Sequence, residues 1–369
     1  MTSAVDETVP APGAGMRAQD RVIVRAWLLV VAALVFAIIV VGGATRLTES
    51  GLSITEWEVV TGILPPLSAE QWLVEFEKYR QIPQYLQVNR GMSLAAFQTI
   101  YLWEWGHRLL GRIIGIAFLI PFLVLLVLRR LDRALAWKLF GIGLLIGVQG
   151  VVGWWMVTSG LVDRIAVAPY RLATHLTLAC VIFVALLWVA LDLAPRREPP
   201  AEAPPAIERM ALVLLVLVFL QIYVGGLVAG TRSGYVYQTW PLIDGWLWPG
   251  GMFVVEPWWR NLFENTGTTQ FLHRTLAYLL TALALWHALA ARRTVQDPLV
   301  RRRAMVVAAA LLVQAAIGVA TLLTGMHILV ALAHQAWIVP VLAVLVVHRH
   351  ALVRSASAHA AATGSAVRH

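Results

Sequence analysis

Long apolar runs alternate with short polar breaks along the whole chain. Eight runs, at about 26–45, 99–128, 136–158, 171–191, 211–230, 269–291, 303–324 and 327–347, are each long enough to cross a bilayer as a helix. The second run opens on polar and aromatic residues, so apolarity alone does not set its first turn. The breaks are of two kinds. One kind is basic, carrying Arg17, Arg21 and Arg25, then Arg129, Arg130, Arg133 and Lys138, then Arg196, Arg197 and Arg209, then Arg292, Arg293, Arg301, Arg302 and Arg303, then Arg349, Arg354 and Arg368. The other kind comprises two long loops, 46–98 and 231–268, rich in Glu, Trp, Gly and Pro. Basic loops stay in the cytoplasm, so both termini are expected there and the long loops outside.

The runs repeat. VVGGATRLTESGLS (40–53) is answered by YVGGLVAGTRSGYVY (223–237), and WGHRLLGRIIG (105–115) by FLHRTLAYLL (271–280). LLIGVQGVVGWWMVTSGL (144–161) is answered by LLVQAAIGVATLLTGM (311–326), and YRLATHLTLA (170–179) by HILVALAHQA (327–336). Four spans separate the copies, so both have the same orientation. The expected fold is an all-α integral membrane protein of eight transmembrane helices, arranged as two pseudo-symmetric four-helix bundles. The expected segments are a cytoplasmic tail at 1–25, a first bundle at 26–193, a Pro-rich cytoplasmic linker at 194–209, a second bundle at 210–350 and a disordered tail at 351–369. The first residues hold Asp6, Glu7 and Asp20 against Arg17 alone, unlike an Arg-rich transit peptide. A bacterial inner membrane is therefore expected.

Composition supports this reading. The chain is 59% hydrophobic and 13% charged, about half the charge of a soluble domain at roughly 25%. Its net charge of +9 lies in loops beside spans, which makes it a topology signal and gives no case for nucleic acid. The single cysteine, Cys180, cannot form an internal disulfide or a cysteine-ligated cluster.

The repeat singles out four of ten histidines. His107 matches His273, each followed by an arginine (Arg108, Arg274), and His175 matches His334. Each half thus has one His on its second span and one on its fourth, both toward the outer end. Two facing imidazoles without cysteine suit haem iron bound from above and below; zinc would require more ligands. Arg108, Arg112, Arg171 and Arg274 lie near enough to pair with haem propionates, although arginines at span ends also snorkel. Gly111 and Gly115 leave space on the second span for a flat macrocycle. The plainer alternative is a set of interhelical hydrogen-bonding histidines without metal.

A rival pattern pairs His273 with His287 and His334 with His348. Each spacing of 14 residues is about 21 Å of helix, like a two-haem stack. The first half has Pro121 and Val189 at those positions, so the spacing does not repeat, and interfacial histidines are the expectation. Glu104 stands one turn before His107, where the second half has Gln270. It is either a carboxylate serving the site or an ion-pair partner of Arg108 or Arg112. Gln149 and Gln314 match and read as helix-packing residues. Trp72, Phe76 and Tyr79 predict a short amphipathic helix over the site. Trp240, Trp246, Trp248, Trp258 and Trp259 predict a similar cover in the second loop; an aromatic belt is the alternative for both loops.

GGATRLTESGLSITEW, the PPLSAEQWLVEFEKYRQIP segment and Glu-x-x-His-Arg at 104–108 together resemble the haem A synthase family, in the long-loop form shared by mitochondria and related bacteria. The resemblance spans residues 26–350. It implies oxidation of a methyl group of haem O to a formyl, giving haem A for terminal oxidases. It further implies that His107 and His175 flank the substrate haem, that His273 and His334 ligate a permanent haem b, and that Glu104 is the catalytic carboxylate. Haem O synthase, oxidase assembly factors and an electron donor or acceptor are the partners it implies, besides membrane lipid. Many shorter bacterial members carry a cysteine pair in the first outer loop; its absence here excludes a thiol route through that loop. Two other functions fit the four histidines: a dihaem electron carrier oxidising a quinol, and a haem carrier for oxidase assembly.

Overall fold

The computed structural model describes residues 15–58, 61–195 and 203–366. Most of the expected N-terminal tail, the middle of the Pro-rich linker and the last three residues lie outside them. Eight helices are long and apolar enough to cross a membrane: α1 (Ala18–Leu47), α4 (Leu94–Val127), α5 (Arg133–Thr158), α6 (Pro169–Asp192), α7 (Pro205–Gly230), α10 (Thr266–Thr294), α11 (Pro298–Leu323) and α12 (Ile328–Ala366). Four shorter helices lie in the long loops: α2 (Ala69–Tyr79), α3 (Pro83–Gln87), α8 (Ser233–Val236) and α9 (Asn261–Glu264). Among the described residues there is no strand, only an isolated bridge between Ile243 and Trp246.

All eight apolar runs became helices, and several extend past their apolar limits for local reasons. Asp132, Asn265 and Asp297 accept first-turn backbone amides of α5, α10 and α11, so these helices begin on polar caps before the apolar stretch. α1 and α7 begin inside the segments read as tail and linker. α12 continues to Ala366, into the segment expected to be disordered. Its extension is tied down where Arg349 meets Glu208 at 2.8 Å and His350 meets Asp192 at 2.9 Å.

α1 packs against α4 and α6, and α5 against α4 and α6; α10 packs against α7 and α11, and α12 against α7 and α11. The contacts of α6 with α7, and of α12 with α1 and α6, join the two sets. Small residues permit the close crossings, as expected where lipid supplies no hydrophobic drive between helices. A Cβ added at Gly226 would stand 2.7 Å from Ala173 Cα, and one at Gly230 2.5 Å from Pro169 Cα. The buried core runs through Leu28, Phe118, Leu139, Leu186, Leu214 and Leu342, while Ile116, Val151, Val216 and Leu289 point outward.

The copies of the glycine-containing turn after α1 and α7 also meet. Glu49 and Arg232, equivalent in the repeat, both adopt the left-handed conformation (φ 55° and 56°) and pair at 2.9 Å. Arg46 donates to the Ala229 carbonyl at 2.7 Å.

Candidate functional site

The four repeated histidines sit about two turns into α6, α10 and α12 and nearly four turns into α4, toward the end of the molecule that carries the long loops. Each imidazole rests against a glycine of the preceding span. A Cβ at Gly42 would lie 2.9 Å from His107 Cε1, at Gly153 3.0 Å from His175 Cε1, at Gly225 3.0 Å from His273 Cε1, and at Gly318 2.7 Å from His334 Cε1. No ordinary side chain fits at these distances, so the four glycines are ring seats. Gly111 faces Ile38, and nothing lies within 4 Å of a Cβ at Gly115.

His273 and His334 face each other with ring centres 6.4 Å apart and planes at 86°. A first-row metal–imidazole bond is about 2 Å, so a metal held between two rings sets their centres roughly 6 Å apart. The observed separation matches that spacing. The Nδ1 atoms of His107 and His175 are both buried without a hydrogen-bond partner. Among the described residues no group of three or more His, Cys, Asp or Glu comes together. Of the two repeated pairs, His273 and His334 stand as opposed rings, the arrangement that bis-histidine haem ligation uses.

His287 and His348 behave differently. Their Nε2 atoms are 2.9 Å apart, below the roughly 4 Å that two metal–nitrogen bonds in line would need. They hydrogen-bond each other, and neither is exposed. The pair is buried in the protein, and its rings stand too close for a metal between them, which agrees with setting the two-haem stack aside.

Glutamines hold three of the four rings. Gln149 Nε2 donates to the His175 carbonyl at 3.0 Å and lies 3.4 Å from the ring. Gln221 Nε2 lies 3.1 Å from the His273 carbonyl and 3.0 Å from Nδ1. Gln314 Nε2 lies 2.9 Å from the His334 carbonyl and 3.2 Å from Nδ1. Gln149 and Gln314 were expected only to pack helices, and Gln221 was missed. The signal was present: each glutamine stands four residues before a ring-seating glycine.

Glu104 is 3% exposed and fully engaged. Its Oε1 accepts from Arg108 Nη2 at 2.6 Å and Nε at 3.1 Å. Its Oε2 accepts from Ser53 Oγ at 2.7 Å and from the Ile54 amide at 2.9 Å. Arg108 also reaches the Ile54 carbonyl at 2.7 Å and the Glu56 carbonyl at 2.8 Å. The structure thus realises the pairing with Arg108 weighed above. Arg112 donates to the Glu58 carbonyl. Arg171 donates to the Trp155 carbonyl at 2.6 Å and stacks over the Trp155 ring at 4.7 Å. Arg274 lies 3.3 Å from the Leu242 carbonyl and 3.4 Å from that of Tyr237. The buried Nε atoms of Arg171 and Arg274 have no partner, leaving each guanidinium a donor for an anionic group.

The first long loop folds as expected over this end. α2 starts on a Ser68–Gln71 capping box and buries Phe76 and Tyr79 against Tyr85, Phe97 and Tyr101. Phe76 stacks on Phe97 at 4.9 Å. Burial opposes the Lys78 ammonium, but its hydrogen bonds with Glu56 and Glu75 outweigh that and hold it above its ordinary value. The second loop has no comparable helix over its tryptophans: Trp240, Trp246, Trp248, Trp258 and Trp259 are all exposed, which fits the aromatic belt.

Residues 25–346 match the family model described as "Cytochrome oxidase assembly protein". The chain is 49% identical to the heme A synthase of Mesorhizobium japonicum, over 94% of this chain and 95% of that protein. It is 50% identical to the heme A synthase of Sinorhizobium medicae, over 90% and 91%. For that of Chelativorans the identity is 52%, over 89% and 91%.

Proposed function

Since the chain belongs to the haem A synthase family of cytochrome oxidase assembly proteins, we propose that it oxidises the methyl group of haem O to a formyl group, giving haem A. The reading has the eight spans as two four-helix units, the first holding substrate between His107 and His175, the second holding haem b between His273 and His334. The observation that carries it is the fourfold pairing of a ring-seating glycine with a histidine, with one pair at axial separation. Haem b, when bound, supplies one-electron chemistry; its redox partner is a donor or acceptor outside this chain. The enzyme lies in the bacterial inner membrane with both termini cytoplasmic, and receives haem O from haem O synthase for delivery toward oxidase assembly.

The methyl-to-formyl change removes four electrons from the substrate. It would proceed by two successive hydroxylations, followed by loss of water from the resulting gem-diol. Each hydroxylation takes its oxygen either from dioxygen, with two electrons from an outside donor, or from water, with two electrons passed to an outside acceptor. Glu104 is the catalytic residue of this reading. Oε1 faces the charged Arg108 guanidinium, whereas Oε2 meets only the neutral donors of Ser53 and Ile54, so Oε2 is the atom that takes up a proton. The Arg108 fork and the 53–56 segment keep the carboxylate on the side of α4 one turn from His107. The unused donors of Arg171 and Arg274 are aimed at propionates, charge-assisted bonds that Arg makes well.

Pigment extraction from the purified protein tests this. Haem O and haem A beside haem b support the synthase. Haem b alone at full occupancy overturns it in favour of electron transfer, and reversible haem loss without modified product overturns it in favour of a carrier.

A further inference from the structure

The two copies of the repeat differ in how their second and third spans meet. α4 and α5 pack less closely than their counterparts α10 and α11. They cross where the Phe118 ring lies over Gly143; a Cβ there would stand 3.0 Å from Phe118 Cε1. Gly143, Gly147 and Gly150 lie on one face of α5, since residues four and seven apart share a helix face. Outward of the crossing that face is open. A Cβ at Gly147 or Gly150 meets nothing within 4 Å, and neither does one at Gly115 of α4. The first long loop roofs the opening: Trp57 packs on Trp154 of α5 with ring centres 5.0 Å apart, while the carbonyls of Glu58 and Ile63 accept from Arg112 and Trp105 of α4. Exposed apolar side chains flank it, among them Ile116 and Val148. Beside it stand His107 and His175, each with a buried, unpartnered Nδ1; the glycine under His175, Gly153, is three residues beyond Gly150.

The second half closes the equivalent space. Thr281, Leu312 and Ala315 stand where the first half has Gly115, Gly147 and Gly150. Ala284 and Ala308, both buried, replace Phe118 and Gly143. A phenyl ring spaces the first pair of helices at its crossing, whereas two alanines let the second pair approach.

We propose that the opening between α4 and α5 is a binding slot for a long apolar chain, and that its occupant is the isoprenoid chain of the substrate haem. This rests on the functional reading above. Haem O differs from haem b in carrying a hydroxyethylfarnesyl chain on its macrocycle. Such a chain is driven out of water in proportion to its apolar area, and a glycine-lined slot beside the His107–His175 pair leads it into the outer-leaflet lipid while the macrocycle stays in the protein. Haem b has no such chain, and the half read as its site has no such slot. A phospholipid acyl chain has similar chemistry; confinement of the slot to the substrate half assigns it to the haem.

Protein holding haem b in its second half and no haem in its first is titrated with haem O and with protohaem, which lacks the chain, and binding is followed by Soret absorbance. Haem O is expected to bind the tighter of the two. Gly147→Leu, which installs the second-half residue, is expected to weaken haem O at least about tenfold and leave protohaem unchanged. Gly115→Thr, on the other wall, should act in the same direction, and it decides alone if Gly147→Leu does not fold. Gly141→Leu, at an open position on the far side of α5 from Gly143, should change neither haem. Unchanged haem O affinity overturns the proposal, as does equal weakening of both haems. Loss of co-purified phospholipid from Gly147→Leu with haem O unaffected also overturns it, making the slot a lipid site. If the unaltered protein takes neither haem into its first half, the functional reading fails; if it binds both equally well, only this inference fails.

Discussion

The two copies of the repeat use the same anchoring positions with opposite polarity. Glu104 accepts the backbone amide of Ile54; its counterpart Gln270 donates to the carbonyl of Tyr237, the residue equivalent to Ile54. Arg108 and Arg274 reach those same two carbonyls at 2.7 and 3.4 Å. A loop can thus be pinned over a histidine with or without a carboxylate. The negative charge in the first half pairs with Arg108, and in the proposed function it also serves the chemistry. The second half keeps the scaffold and omits the charge, which the proposed function reads as a haem site without methyl oxidation. The loops differ in the same sense: the first packs an aromatic cluster under α2, while the second leaves its tryptophans at the surface.

The sharpest way to break this comparison is at the ligands. His334→Ala should abolish haem b binding and haem A formation while leaving haem O retained in the first half; pyridine haemochrome spectra and pigment chromatography read both. Next is the carboxylate. Glu104→Gln, which restores the amide of the second half, should lower haem A yield about 10²–10⁴-fold with haem O accumulating. Gln270→Glu should leave yield within a few-fold, since the second half performs no methyl oxidation. Equal effects would remove the distinction between the halves.

A smaller effect is expected at the ring seats. Gly318→Ala puts a Cβ 2.7 Å from His334, an overpacking that costs about 1–3 kcal/mol. Haem b should dissociate faster and the melting temperature should fall. Gly115→Ala, with open space around it, should stay within about 0.5 kcal/mol. The smallest change is Glu49→Gln, which breaks the ion pair joining the two turns. Both partners are about one-third exposed, so the loss should be about 0–1 kcal/mol, read as a slight shift in thermal unfolding in detergent.

The spans, the repeat and the four histidines were legible because each is written in local chemistry. Apolar runs have no alternative to helix in lipid, where every backbone group must be satisfied within the segment. The ranking of Gln149 and Gln314 was not legible, since a polar residue on an apolar helix reads the same whether it bonds a neighbouring backbone or a ligand. Gln221 is illegible for a related reason: the Gln-x-x-x-Gly spacing has meaning only once the glycine is seen under a ring. The helical extension of α12 escaped because the small residues after 350 carry no apolar signal, whereas Arg349 and His350 fasten its base to α7 and α6.

The amino-acid order alone settled how many times the chain crosses the membrane, which histidines are equivalent and where the one unmatched carboxylate lies. Distance was left to tertiary packing. Two histidine pairs join α10 to α12; one stands 6.4 Å apart between ring centres and the other 5.1 Å. No residue type in either pair announces which rings will stand apart and which will close on each other. That difference is set by the packing of the helices that carry them, which brings the rings together at one level and holds them apart at the other.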